Sequence, residues 1–71
     1  MKVRIKIHEF DAKAHAARQA LPVLDTIDFE KGDMGVDEAL AAAKLAVAEH
    51  TKRTVRTISN VKGGGYAAIV T

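Results

Sequence analysis

The chain closes on RTVRTISNVKGGGYAAIVT, residues 53–71, where three consecutive glycines separate two runs rich in valine, isoleucine and threonine. How this stretch is read decides the fold. A phosphate-binding loop requires the spacing G-x-x-x-x-G-K-S/T after a strand and at the opening of a helix. Here Lys62 precedes Gly63, Gly64 and Gly65, and the following YAAIVT has no helical period and starts with β-prone Tyr66. A dinucleotide fingerprint fails for the same reason, because no helix N-terminus follows to hold an anion. Glycines that supply positive φ angles in a hairpin turn account for the segment. The prediction is two strands, residues 54–60 and 65–71, joined through VKGG. A tip of this composition is exposed and can insert into a partner.

The other end of the chain is also a strand. In residues 2–8, Val3, Ile5 and Ile7 alternate with Lys2, Arg4, Lys6 and His8. Period two means one face turned to the core and one to solvent. Asp11 then stands where its carboxylate can cap a helix over AKAHAARQAL, with Phe10, Ala14, Ala17, Leu21 and Leu24 as the buried stripe. Pro22 is expected to end that helix.

Residues 24–30 read as a short strand with Ile27 and Phe29 on one side, and KGDMG as the turn that follows it. The segment GVDEALAAAKLAVAEHTKR carries Asp37 and Glu38 near its start and Lys52 and Arg53 near its end, which suits a helix dipole. Its predicted inner side holds Val36, Ala39, Leu40, Ala43, Ala46, Val47 and His50. Leu45 points outward, between Ala41 and Ala48.

The resulting order is β-α-β-α-β-β, or β-α-α-β-β without the strand at 24–30. This implies one small α+β domain over residues 1–71, a mainly antiparallel sheet packed on one face by two helices. The 71 residues include 48% hydrophobic and 28% charged side chains, the balance of a folded domain and not of a disordered tail. Thirteen of the hydrophobic residues are alanine, so the core is built from small side chains. Domains of this size commonly add disulfides, a metal or a partner. Cysteine is absent, which removes disulfides and thiolate zinc sites. The opening MKVRIKIHEF is the pattern of neither a signal peptide nor a membrane span. A cytoplasmic protein without membrane attachment is the expectation.

Catalytic and metal-binding chemistry finds little footing. Six acids fall between residues 25 and 38, but DTIDFEKGDMGVDE lacks the alternating ligand positions of a calcium loop. His8, His15 and His50 have no ligand spacing, and Ser59, the one serine, lies in mid-strand. A core this small also leaves little volume for a substrate pocket. The reading is a non-enzyme without cofactor or metal.

Binding surfaces are easier to place. Lys2, Arg4, Lys6 and Arg56, with Tyr66 if Ile69 faces inward, compose a basic sheet face, and Lys62 lies near its edge. Phosphates and a stacked base would suit such a face. Lysines alternating along a strand also serve to keep a sheet soluble, and the net charge is only +2. Asp25, Asp28, Glu30 and Asp33 form a candidate acidic patch, and Leu45 a candidate helix contact. Unlike charges on one small body favour complementary docking with another protein.

In general character alone, a small cysteine-free domain of this kind resembles the short inhibitors that bacteriophages direct against host defence or transcription complexes. That resemblance implies an inhibitor or regulator acting by protein–protein contact. Nucleic-acid binding through the basic sheet face is the alternative, and a structural homo-oligomer the third reading.

Overall fold

Six elements follow one another in the computed structural model, which describes residues 2–71. They are β1 (Lys2–Glu9), α1 (Ala12–Ala16), β2 (Val23–Glu30), α2 (Val36–Thr51), β3 (Val55–Asn60) and β4 (Tyr66–Val70). The strand at the chain's start, the 24–30 strand, the long second helix and the terminal hairpin are all present. The four strands form one sheet in the order β2-β1-β4-β3. Antiparallel pairs β1–β2 and β3–β4 lie on the outside, and β1 and β4 run parallel between them. The sheet is therefore mixed, and two helices pack on it to give an α+β fold.

The alternation in β1 does what period two requires. Ile5 and Ile7 are fully buried, while Lys2, Arg4 and Lys6 are exposed. Ala39, Ala43 and Val47 of α2 meet Ile5, Ile7, Val55, Tyr66, Ala68 and Val70 to form the buried cluster, with Val3, Ile27, Phe29, Leu40 and Ile58 packed at its margin. Ala39, Ala43 and Val47 are fully buried, so α2 meets the sheet through small side chains. Val36 and His50, expected on this inner side, are exposed because they stand at the two ends of the helix.

The first helix is shorter than its sequence suggests. Asp11 caps it as predicted, its carboxylate accepting from the N–H groups of Lys13 at 3.0 Å and Ala14 at 3.3 Å. The helix then stops after Ala16, and Arg18 turns left-handed at φ 58°. Pro22 is not the terminator. The cause is tertiary. His8 pairs with Val23 across the β1–β2 ladder, and the Glu9 N–H reaches the Pro22 carbonyl at 3.0 Å. A helix over 12–21 would run about 15 Å in one direction, whereas the chain must return to where it left β1. Of the predicted stripe, Ala14 is buried, Ala17 is exposed, and Leu24 belongs to β2 and is 41% exposed.

The glycine turn behaves as a turn. Gly63, Gly64 and Gly65 all have positive φ, and the Val61 N–H donates to the Gly65 carbonyl at 3.0 Å. Gly65 has a second reason to be glycine. A Cβ there would stand 2.7 Å from the backbone oxygen of Arg4, so a side chain would push β4 away from β1 just where their pairing begins at Ile5 and Tyr66.

Candidate functional site

The sheet has one face under α2 and one turned away from it. Lys2, Arg4, Lys6 and His8 belong to the second face by the alternation of β1. Register decides what stands beside them. Lys2 is opposite Glu30, Arg4 opposite Asp28, and Lys6 opposite Thr26 on β2. On the other flank Lys6 neighbours Ala67 and His8 neighbours Ile69. The predicted basic face is thus a mixed one, with a positive row on β1 and a negative row beside it on β2. Opposite charges at directly facing positions attract one another and lower the net field of the face.

Two further members of the basic set are corrected. Tyr66 is not exposed: it is 5% accessible and lies in the core under α2. The inward residues of β4 are Tyr66, Ala68 and Val70, and Ile69 is turned to the other face, the reverse of the expected phase. Pairing fixes this, since Tyr66 stands next to Ile5, whose side chain is buried. Arg56 sits at an irregularity of β3 between Val55 and Thr57, and its guanidinium lies 4.0 Å from the centre of the Phe10 ring. That places it beside the end of β1 and far from Lys2. Lys62 is exposed on the hairpin tip, as expected.

The acidic patch is divided in the same way. Asp28 and Glu30 face the basic row. Asp25, opposite Ile7, is on the α2 side, where His50 Nε2 donates to its carboxylate at 2.6 Å. That hydrogen bond, together with the backbone N–H of Thr26 at 2.7 Å, holds the Asp25 carboxyl below the usual carboxylate range. Glu30 is also held below that range. Asp33 belongs to the turn before α2. The four acids do not form one patch.

Leu45 is 65% exposed on the outer side of α2, as its spacing predicts. Among the described residues, no three His, Asp or Glu side chains gather to hold a metal ion, and no helix is long and apolar enough to cross a membrane.

Two surface hollows were not legible in the sequence. One, of about 250 Å³, lies on the second face over Ala67 and Ile69 and is walled by Ala20 and Leu21. His8 Nδ1 donates to the Leu21 carbonyl at 3.2 Å and anchors that wall. The other, of about 280 Å³, opens between the start of α2 and the glycine hairpin. Val3, Val36 and Val61 line it with Tyr66, and among the described residues Lys31 is the one charged side chain on its wall. These residues lie far apart in the chain: the β1–β4 pairing sets Val3 near Tyr66, and the β1–β2 pairing brings in Lys31 and the start of α2.

No family model, curated protein or solved structure matches this chain.

Proposed function

We propose that this protein works by binding another protein and not by catalysis, as a small inhibitor or regulator of a larger complex. The observation that carries the reading is the register of β1 against β2. Arg4 lies beside Asp28 and Lys2 beside Glu30, so the exposed face offers both signs of charge within neighbouring strands. A polyanion would be repelled by the acidic row, whereas a protein surface with matching alternation is attracted by both. Burial of Tyr66 adds to this, because single-stranded nucleic acids are held largely by stacking on exposed aromatic rings. Leu45 on α2 supplies an apolar contact on the opposite side of the molecule.

Nucleic-acid binding keeps one specific support. Arg4 and Lys6 line a hollow of about 170 Å³ with Tyr66 and with Val61 and Gly64 of the hairpin, and Lys62 stands at the tip. The two readings separate in one experiment. A tagged chain is used to capture partners from bacterial lysate with and without nuclease. A defined protein retained after nuclease, and lost when Arg4 and Asp28 are exchanged, supports protein binding. Capture that disappears with nuclease, and weakens steeply with salt, replaces it with nucleic-acid binding.

A further inference from the structure

Three features meet at the hollow between α2 and the hairpin, and each calls for a different part of one ligand. Its walls are apolar: Val36 is 59% exposed and Val61 41% exposed, and both line the hollow with Val3. Its described wall carries a cation and no acid. α2 is 16 residues long, and its N-cap, Gly35, gives no side-chain hydrogen bond to the first-turn amides. Those amides and the helix dipole favour an anion, and Lys31 stands on the wall. Asp37 and Glu38 share the first turn but are not among the lining residues.

The third feature is an unused hydroxyl. Tyr66 is only 5% exposed, yet its side chain makes no hydrogen bond among the described residues. No buried side-chain oxygen among them lacks a partner, so the Tyr66 hydroxyl is not sealed in the core. Tyr66 lines this hollow and the smaller one beside Arg4 and Lys6, so its hydroxyl opens at the hairpin end of the sheet. A hydroxyl that reaches the surface on an otherwise buried ring is free to donate to a ligand.

Resting on the protein-binding reading above, we propose that this hollow receives the C-terminal residue of a partner polypeptide, an apolar side chain carrying a free carboxylate. The valines enclose the side chain. Lys31, the uncapped start of α2 and the Tyr66 hydroxyl meet the carboxylate, in the manner of terminal carboxylates held by backbone amides. The volume of about 280 Å³ is below the range of roughly 300–1,000 Å³ of sites for drug-sized ligands, and suits one terminal residue.

The test is an amide NMR titration of the full chain with the acetylated tetrapeptide Gly-Gly-Gly-Leu bearing a free carboxylate, and with its C-terminal amide. The free acid should produce saturable shifts at Val36, Val61 and Gly64, while the amide binds roughly tenfold more weakly for loss of the charge-assisted contacts. Lys31→Gln and Tyr66→Phe should weaken binding of the acid without altering the rest of the spectrum, and Lys44→Gln, exposed on α2 and outside the hollow, should leave binding unchanged. Absence of shifts around the hollow, or equal binding of acid and amide, overturns the proposal. A lysate partner whose capture is unaffected by Lys31→Gln and Tyr66→Phe removes the hollow but leaves protein binding intact. Loss of that capture in both variants supports it.

Discussion

The rings of Phe29 on β2 and Tyr66 on β4 meet edge to face across β1, their centres 6.3 Å apart. The two strands are not neighbours, since β1 lies between them. This contact ties both halves of the sheet together above Val3 and Ile5. Tyr66→Ala should therefore cost about 3–5 kcal/mol, the range for removing a buried aromatic, and in so small a domain that approaches complete unfolding. Tyr66→Phe keeps the ring contact and should change stability little. Denaturant titration of both variants distinguishes a core tyrosine from the exposed stacking residue first expected.

The place of Gly65 is set by a neighbour's backbone. Gly65→Ala forces a methyl group to within 2.7 Å of the Arg4 oxygen at a φ of 87°, whereas Gly63→Ala meets nothing within 4 Å. Both substitutions bear the cost of a left-handed backbone, about 1–3 kcal/mol. Gly65→Ala should lose clearly more, and its amide exchange should speed up along Ile5–Ile7 as the β1–β4 ladder opens. Equal losses in the two variants would refute the close approach.

Lys52 closes α2 in the left-handed conformation at φ 58°. Only glycine adopts that conformation without steric cost. Lys52→Gly is expected to stabilise the protein by about 1 kcal/mol, raising Tm by roughly 4–8 °C in a domain of this size. Calorimetry is sufficient to check it.

Asp25 and His50 give a pH-dependent contact between β2 and the last turn of α2. Because hydrogen bonding from His50 lowers the folded-state pKa of Asp25, the contribution is complete above the unfolded value of about 3.9. It is lost as pH falls through the lower folded value. In His50→Ala, the Asp25 carboxyl should titrate at higher pH than in the wild type, as read by carbon-detected NMR. An unchanged midpoint would mean that the Thr26 amide alone holds Asp25.

Leu45→Glu should alter stability by no more than about 0.5 kcal/mol, since the side chain is 65% exposed and outside the core. Any loss of partner capture in that variant then belongs to the surface. Full capture would confine the interface to the sheet face or the hairpin end.

Local chemistry was enough to place β1, α2, the hairpin and the Asp11 cap, because each depends on residues within a few positions of one another. Strict alternation fixes which side of β1 is wet, and three glycines before a β-prone run specify a turn. The same kind of reasoning placed Leu45 outside. Only the tertiary structure set the phase of β4, because YAAIV has apolar residues at every position and either alternate set could face the core. Pairing of Tyr66 with buried Ile5 settled it. Likewise, the sequence shows three basic residues on β1 but not that Asp28 and Glu30 lie beside them. That follows from the β1–β2 register, a relation between segments more than twenty residues apart. The length of α1 was lost for the same reason: helical propensity is local, whereas the need for Val23 to return beside His8 is not.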